Sequence, residues 1–220
     1  MRLDEYLVEE GLLASRSRAK RFIHRGLVKL NGEVVTKPSK QVKPGATVEI
    51  AEEDRPEGYF KLKGIQERSG ILKPGDRVLD IGSSAGGFLM YASGIAGEIV
   101  GIEYSEEFRE PLEAVVEEHP NVRVIFGDAF SMDLAPLGEF DVILNDMTVE
   151  PAMSVEILSR FLPLVKEGGR VLQVLKLDKI SDLEPFLKLL ESKGLEIVHV
   201  IKPEKREAYI IAIWQHKLEA

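Results

Sequence analysis

The sequence predicts an α/β fold in which a doubly wound, mostly parallel sheet follows a small N-terminal α+β module. From Tyr59 onward, apolar strand-like runs alternate with amphipathic helical segments, which is the pattern of a parallel sheet covered by helices. One of these apolar runs ends at Ile81 and passes into a loop of small residues. The first 50 residues differ from the rest in charge and in turn signals. The chain has 220 residues, 44% of them apolar, so it is long enough to form both modules.

Residues 1–50 are predicted to form two helices and a small sheet. Apolar residues at near-helical spacing indicate one helix within residues 3–13, and a second helix runs from about Ser17 to Arg25. The dipeptide Asn31-Gly32 is a strong signal for a tight hairpin. The short strand-like runs on either side of it and after it lie at 27–30, 34–35 and 48–50.

The charge of the chain is unevenly distributed. The net charge is −8, yet residues 1–50 hold 10 Lys and Arg against 6 Asp and Glu. Within residues 15–43 there are nine basic residues and a single acidic one, Glu33. A basic segment on an acidic body is typical of a module that contacts nucleic acid, and a merely solvated basic face is the alternative explanation.

Four short segments of the N-terminal module carry a family resemblance, and they are residues 2–7, 15–23, 26–35 and 44–48. In order and spacing they resemble the S4-type RNA-binding domain. The resemblance implies recognition of structured RNA by its shape and its phosphates, and Lys and Arg side chains suit that role because they displace counterions from the RNA backbone. The implied RNA contacts are Arg16, Arg18, Lys20, Arg21, Arg25 and Lys29.

Residues 51–58 are predicted to be a linker, because they are charged and contain Pro and Gly. We expect the second domain to span residues 59–217. Its predicted strands are 77–81, 98–103, 122–126, 140–145, 169–175, 196–199 and 208–214. Its predicted helices include 106–119, 155–166 and 182–193.

The loop after the first strand of this domain is a candidate ligand site. Small residues are needed where a backbone turns close to a ligand. An acidic residue ends the second predicted strand, and another follows the third. Glu103 can accept hydrogen bonds from ribose hydroxyls, and Asp128 can accept one from an adenine amino group. Together with Asp80, they resemble the cofactor motifs of class I S-adenosylmethionine-dependent methyltransferases, which have a Rossmann-like fold. The implied cofactor contacts are Asp80, Gly82, Ser83, Gly86, Gly87, Phe88, Glu103, Asp128 and Ala129.

The positive charge of the S-adenosylmethionine sulfonium suits such an acidic pocket better than a diphosphate does. A plain nucleotide-binding Rossmann domain, or carboxylates that only cap helices, is the alternative explanation of this motif.

Four charged residues are the candidate catalytic set. Asp146 and Lys176 follow or end predicted strands, at the edge that forms the ligand cleft of a doubly wound sheet. With Lys61 and Glu207 they resemble the Lys-Asp-Lys-Glu tetrad of the FtsJ-like ribose 2'-O-methyltransferases. Since a basic module comes first, the whole chain looks most like the TlyA-like branch of that family. The resemblance implies methylation of structured RNA, either ribosomal RNA or a ribosomal subunit.

The chemistry explains why such residues are needed. A ribose hydroxyl is a poor nucleophile near neutral pH, so catalysis must act on the hydroxyl. A lysine whose pKa is lowered by burial or by a second cation could take the proton. The hypothesis from the sequence is that Lys176 is the base and Lys61 stabilises the oxyanion, while Asp146 and Glu207 orient the two amines. Solvated surface positions are the alternative for each residue taken singly.

The composition excludes several classes of function. The chain has no cysteine, which excludes disulfides, thiolate metal sites and the cysteine nucleophile of pyrimidine C5 methylation. The histidines show no metal-ligand spacing, so we expect no metal. No apolar run approaches the roughly 18 residues that span a bilayer, so we expect a cytoplasmic protein.

Three other functions stay open at this point. Amino-group methylation is disfavoured, because residues 145–148 lack its usual Asn/Asp-Pro-Pro-aromatic run. An RNA-binding scaffold or assembly factor with a degenerate methyltransferase-like domain is the main alternative, and binding of S-adenosylmethionine would discriminate against it. A small-molecule methyltransferase is disfavoured by the basic module.

Overall fold

A computed structural model of the chain describes residues 1–13, 15–51, 55–177, 182–202 and 206–215. They fall into two compact units, Met1–Arg55 and Pro56–Ala220. The division falls inside the predicted linker, and its last two residues, Glu57 and Gly58, belong to the first helix of the second unit. Pro56 precedes that helix and an acidic residue occupies its first turn, both of which favour a helix start. The predicted domain end at 217 lies outside the described residues.

The N-terminal unit contains two helices and a three-stranded antiparallel sheet, as predicted. Its elements are α1 (Leu3–Glu9), α2 (Arg16–His24), β1 (Val28–Leu30), β2 (Glu33–Val34) and β3 (Val48–Ile50), with strand order β2-β1-β3. At the hairpin Asn31 and Gly32 have φ values of 52° and 81°, which a type I' turn requires. The Ser15 hydroxyl caps α2 by accepting a hydrogen bond from the Arg18 N–H. The core of the unit includes Leu3, Leu7, Ala19, Phe22, Ile23 and Val28.

The second unit alternates helices and strands along the chain. Its helices are α3 (Glu57–Ser69), α4 (Gly87–Ala92), α5 (Arg109–Glu118), α6 (Pro151–Phe161) and α7 (Glu184–Ser192). Its strands are β4 (Arg77–Ile81), β5 (Glu98–Glu103), β6 (Val122–Phe126), β7 (Phe140–Asn145), β8 (Val165–Lys176), β9 (Leu195–Ile201) and β10 (Glu207–Trp214).

These seven strands form one sheet in the order β6-β5-β4-β7-β8-β10-β9. The first five strands in this order are parallel, and β10 runs antiparallel to both β8 and β9. Starting from β4, the chain adds β5 and β6 on one side of the sheet and then β7 and β8 on the other. This switch between β4 and β7 creates the crevice in which doubly wound folds bind ligands. The predicted doubly wound, mostly parallel sheet is therefore confirmed.

Both faces of this sheet are covered by helices. Neighbouring residues of β4 point to opposite faces, so Val78 packs in the core that includes residues of α3, α4 and α5. Leu79 packs in the other core, which includes residues of α6 and α7. A strand buried on both faces reads as a continuous apolar run, which is why the sequence located these strands.

One predicted helix is misplaced. The helix expected at 155–166 is α6, which spans Pro151–Phe161 and is followed by a short 3-10 turn. Pro163 lies within that turn, and since proline has no N–H it cannot continue an α-helix. β8 then begins at Val165, four residues before the predicted strand, and contains Gly168 at a φ of 71°. Within the described residues, no helix is long and apolar enough to cross a membrane.

Candidate active site

The carboxyl ends of β4, β7 and β8 border a cavity of about 340 Å³. All four predicted catalytic residues line it, as do five of the predicted cofactor contacts. The described lining consists of Pro56, Glu57, Gly58, Lys61, Asp80, Gly82, Ser83, Ser84, Ala85, Gly87, Phe88, Asp146, Thr148, Lys176 and Glu207.

The fold brings the four charged residues together from four elements. Asp146 directly follows β7, and Lys176 is the last residue of β8, which runs parallel to β7. Glu207 is the first residue of β10 and lies opposite Lys176 in the antiparallel register. Lys61 comes from α3. Leu62 and Ile65 of this helix are buried against the sheet and so hold the helix in place.

The four side chains form a closed ring of alternating charge. Lys61 Nζ donates to Asp146 Oδ2 at 2.8 Å and to Glu207 Oε1 at 3.2 Å. Lys176 Nζ donates to Asp146 Oδ1 at 2.9 Å and to Glu207 Oε1 at 2.7 Å. The side chains are only 14–22% exposed. Two cations and two anions at this depth balance each other, so removing one leaves a poorly solvated charge without its partner.

The electrostatics of the ring correct one expectation from the sequence. Burial alone would lower the pKa of Lys176, but the charges and hydrogen bonds of Asp146 and Glu207 outweigh it and raise the pKa to about 12. Burial would raise the pKa of Glu207, and its contacts with Lys176 and Lys61 instead lower it. The expectation that the base lysine has a lowered pKa is therefore wrong for Lys176, because both its neighbours are anionic.

Tyr209 extends the ring, and sequence reasoning missed it. Its hydroxyl donates to Glu207 Oε2 at 3.0 Å, on the carboxylate oxygen that the lysines do not contact. Burial, together with the charge of Glu207, raises the pKa of Tyr209, so the phenol stays protonated as a donor. The available signal was position, since residues two apart on a strand point to the same face.

A buried amide cluster beneath the ring was also missed. The Asn145 side-chain amide donates to Gln173 Oε1 at 2.9 Å and to the carbonyl oxygen of Ser154 at 3.0 Å. The Gln173 amide donates to Ser154 Oγ at 2.8 Å. All three residues are at most 1% exposed. The cluster ties the end of β7, just before Asp146, to β8 and α6, and so stabilises the spacing of the strands that carry the ring.

Asp80 is the residue of the predicted cofactor set that most clearly calls for a ligand. It is 1% exposed and lines the cavity, and its Oδ2 has no hydrogen-bond partner among the described residues. Burial, with the nearby charges of Asp146 and Glu103, raises its pKa to about 7. An unpaired buried carboxyl group is costly unless a donor or a cation reaches it, so the site fits a positively charged ligand such as S-adenosylmethionine.

The glycines of the loop are required by close packing. A Cβ on Gly87 would lie 2.6 Å from the Tyr59 backbone nitrogen, and one on Gly82, where φ is 79°, would lie 2.8 Å from Met147 Cγ. A Cβ on Gly86, also at a φ of 79°, would lie 2.9 Å from Val115 on α5. Larger residues are thus excluded from the floor of the cavity and from the start of α4.

Glu103 ends β5 and Asp128 follows β6, and both carboxylates hold loops by hydrogen bonds. Glu103 accepts hydrogen bonds from the backbone N–H groups of Ser84, Tyr104 and Ser105, at 2.7, 3.0 and 2.8 Å. Asp128 accepts from the Phe130 N–H and from the Ser131 hydroxyl, both at 2.9 Å. Glu103 Oε1 already accepts two hydrogen bonds, whereas Glu103 Oε2 and both Asp128 oxygens each keep a further lone pair for a ligand. Gly86, Glu103, Asp128 and Ala129 are not among the described residues that line the cavity.

Comparison with known families now decides the class of the protein. A family model described as FtsJ-like methyltransferase matches residues 55–214, which is more than half of the chain. The chain belongs to this family. A second model, described as S4 domain, matches residues 1–48. The FtsJ-like protein is therefore an S-adenosylmethionine-dependent methyltransferase with an S4 domain in front, as the resemblance implied.

Its relatives include enzymes named for ribosomal RNA. The ribosomal RNA large subunit methyltransferase E of Desulfatibacillum aliphaticivorans is 30% identical over 182 residues, which cover 72% of this chain and 83% of that protein. The 16S/23S rRNA (cytidine-2'-O)-methyltransferase TlyA of Mycobacterium tuberculosis is 29% identical, over 75% of this chain and 66% of that protein. A solved structure described as a putative hemolysin from Streptococcus thermophilus has a TM-score of 0.62 and 18% identity, covers 98% of this chain and 89% of that chain, and shows the fold alone.

The S4 domain of this FtsJ-like protein presents some of the predicted RNA contacts and engages others internally. Lys20, Arg25 and Lys29 are exposed. Arg16 is also exposed, and it pairs with Asp4 at 3.2 Å and with Glu5 at 3.3 Å. Arg18 and Arg21 are partly buried. The Arg18 guanidinium lies over the Phe22 ring, 5.2 Å from its centre.

Further basic residues of the S4 domain surround a depression of about 540 Å³. Lys37, Lys40 and Lys43 line it and are exposed. The sequence-based set did not name them, although they contribute to the charge excess of residues 15–43. Among the described residues of the whole chain, no group of three or more His, Cys, Asp or Glu side chains could hold a metal ion.

Proposed function

We propose that this methyltransferase transfers the methyl group of S-adenosylmethionine to a ribose 2'-hydroxyl of structured RNA, with ribosomal RNA as the substrate. The observation that carries the proposal is the ring of Lys61, Asp146, Lys176 and Glu207 in one cavity with the buried Asp80. The names of the two relatives above support it, since both refer to ribosomal RNA and one to a cytidine 2'-oxygen. Such a substrate would place the protein in the cytoplasm, with ribosomes.

S-adenosylmethionine, when bound, supplies a methyl group on a positively charged sulfur. Asp80 would accept hydrogen bonds from the cationic part of the cofactor, because it lines the cavity and its buried Oδ2 has no hydrogen-bond partner among the described residues. Gly82, Ser83 and Gly87 would provide backbone at close range. The resemblance adds Glu103 for the ribose of the cofactor and Asp128 for its adenine, which completes the proposed cofactor site.

The ring would act on the acceptor hydroxyl. The 2'-oxygen attacks in its hydroxyl form, and its proton becomes strongly acidic as the oxygen accepts the methyl group. A carboxylate can then take that proton. Asp146 would be the acceptor, because the ammonium groups of Lys61 and Lys176 that contact its two oxygens would also hold the 2'-oxygen beside it. The two ammonium groups would hold Asp146 and donate to the 2'-oxygen while that oxygen bonds the methyl carbon and the bond from the carbon to sulfur breaks, its electron pair staying on sulfur.

This proposal differs from a mechanism in which Lys176 is the base. With a pKa of about 12, Lys176 is almost fully protonated near pH 7.5. Reaching the neutral amine from that state costs about 6 kcal/mol, at about 1.4 kcal/mol for each pH unit. That cost would cancel much of the gain expected from a general base. Lys176 is therefore assigned to hydrogen bonding and charge stabilisation in its ammonium form.

The direct experiment uses the full chain, S-adenosylmethionine labelled in its methyl group, and purified ribosomal subunits or their RNA. We expect a labelled nucleoside methylated at the 2'-oxygen, together with an adjacent phosphodiester that resists alkali. A label on the base would refute the ribose assignment. Absence of labelled product, with no binding of S-adenosylmethionine in calorimetry, would favour the RNA-binding scaffold.

A further inference from the structure

The helix that supplies Lys61 also carries an exposed aromatic residue. Phe60 is 58% exposed, although it precedes a residue that lines the cavity. Glu57, three residues earlier, also lines the cavity, and residues three and four apart are neighbours on a helix surface. Phe60 therefore flanks the side of α3 that faces the cavity. Among the described residues Phe60 belongs to none of the apolar clusters, and it is next in sequence to Lys61.

The ring of Phe60 is supported from one side. It meets the ring of Tyr59 edge-to-face, with centres 5.4 Å apart and planes at 77°. Tyr59 in turn meets Tyr91 of α4 edge-to-face at 5.2 Å and 82°. A chain of three aromatic rings thus reaches from the core side of α4 to the surface. Because Tyr59 restricts the motion of the Phe60 side chain, little conformational entropy of Phe60 is lost when a ligand binds to it.

A glycine one turn further along α3 leaves space next to this ring. Gly64 lies inside the helix, where glycine is less stable than alanine, and a Cβ added there would meet nothing within 4 Å. Gly58 on the same helix is different, since its Cβ would lie 3.3 Å from Phe88 and 3.5 Å from the Gly87 backbone. Close packing therefore requires glycine at position 58 but not at position 64. Residues i and i+4 are neighbours on a helix surface, and we call Phe60 and the open surface over Gly64 the aromatic shelf.

We propose that this shelf binds a nucleobase of the RNA substrate, stacked on the Phe60 ring, and thereby positions the acceptor ribose over Lys61 and Lys176. The inference rests on the proposed function for its substrate class. Unstacked bases of single-stranded RNA bind proteins by stacking on aromatic side chains, which requires an exposed ring with free space over its face. A base is attached to the ribose carbon next to the one that bears the 2'-hydroxyl, so a base held beside the cavity brings the hydroxyl to the ring of charges.

The first test is kinetic and uses ribosomal RNA as substrate. Phe60→Ala is expected to raise the KM for RNA by about 5-fold to 150-fold, the range that loss of one stacked base implies. We expect the KM for S-adenosylmethionine to stay within about 2-fold, and Phe60→Trp to restore the KM for RNA. Val198→Ala is the matched control, because Val198 is an exposed apolar residue on β9, at the edge of the sheet.

The second variant separates binding from stability. Gly64→Ala should raise the melting temperature, since alanine favours the helix and meets no atom, yet it should raise the KM for RNA because the methyl group occupies the shelf. A purely structural role for this surface predicts higher stability with an unchanged KM.

The third measurement does not need catalysis. The full chain is titrated into a single-stranded oligoribonucleotide that contains 2-aminopurine, whose fluorescence falls when the base stacks. We expect quenching by the wild-type protein and by Phe60→Trp, and much weaker quenching by Phe60→Ala. Equal quenching by Phe60→Ala, or an unchanged KM for RNA, overturns the shelf. If the wild-type product proves to be a methylated base, the ribose proposal fails while the quenching comparison still decides the shelf.

Discussion

Replacement of Lys176 by methionine measures how far catalysis depends on the ring of charges. Methionine keeps the length and apolar stem of the side chain but removes the ammonium group with its hydrogen bonds of 2.9 and 2.7 Å. Asp146 and Glu207 are then neutralised by Lys61 alone, and the four positions carry a net charge of −1. We expect kcat to fall by about 100-fold to 10,000-fold, because the acceptor hydroxyl loses both a donor and an oriented carboxylate.

The fold itself should tolerate this change. The ring is 14–22% exposed, so an uncompensated carboxylate can still reach water, and we expect a loss of about 1–3 kcal/mol in the free energy of unfolding. The assay is single-turnover methyl transfer to ribosomal RNA, with urea denaturation in parallel. Lys166→Met is the matched control, because Lys166 lies at the other end of β8, pairs with Asp141 at 2.7 Å and is 45% exposed. A kcat within about 3-fold of the wild type would refute the role of Lys176.

The pH dependence distinguishes the two roles of Lys176. Its pKa is about 12, so the ammonium form dominates throughout the working range. If that form is the active one, kcat of the wild type should change by less than about 2-fold between about pH 7 and 9. If the neutral amine acts as base, kcat should rise about 10-fold for each pH unit, because the fraction of amine does so. The second result would contradict the assignment of Asp146 as proton acceptor.

Three further predictions concern the rest of the molecule. Burial holds the pKa of Asp80 at about 7, above its ordinary value of 3.8, so the charged carboxylate destabilises the ligand-free fold as the pH rises through that window. Asp80→Asn should therefore stabilise the ligand-free protein near pH 8 by up to about 4 kcal/mol while weakening S-adenosylmethionine binding, and unchanged affinity in calorimetry would contradict this. The hydrogen bond from Arg2 lowers the pKa of Asp4 to about 2, so Asp4→Asn should destabilise the S4 domain at neutral pH in urea unfolding, with a difference that disappears between about pH 4 and 2. Replacing Lys20, Arg25 and Lys29 by alanine should weaken RNA binding and reduce the slope of log affinity against log salt by about 2–3, whereas an unaltered slope would exclude them as phosphate contacts.

The strands of the sheet were predictable because of how they are buried. β4, β5 and β7 are buried along most of their length and so appear as apolar runs, and β4, β5, β6 and β7 have the predicted bounds. The carboxyl ends of these strands meet at one sheet edge, which is why the sequence alone could assign Asp80 and Asp146 to one cleft.

Other features depend on contacts that a linear pattern does not contain. The helix that carries Lys61 includes Gly58 and Gly64, which weaken its helical signal, and it was not predicted. The pKa of Lys176 is raised because the carboxylates of Asp146 and Glu207 lie within 3 Å of its ammonium group, although they are 30 and 31 residues away along the chain. Similarly, the pairing of Arg16 with Asp4 could not be inferred from a count of basic residues.

The position of β10 in the sheet determines when the sheet and the active site can be completed during synthesis of the chain. β10 lies between β8 and β9 and carries Glu207, which contacts both lysines of the ring. Until residues 207–214 have left the ribosome, β8 and β9 therefore lack the strand that pairs with both of them. The active site also lacks the carboxylate of Glu207 at this stage. Sheet closure and completion of the active site depend on the same late segment, so a shortened translation product would be inactive and would expose strand edges prone to aggregation.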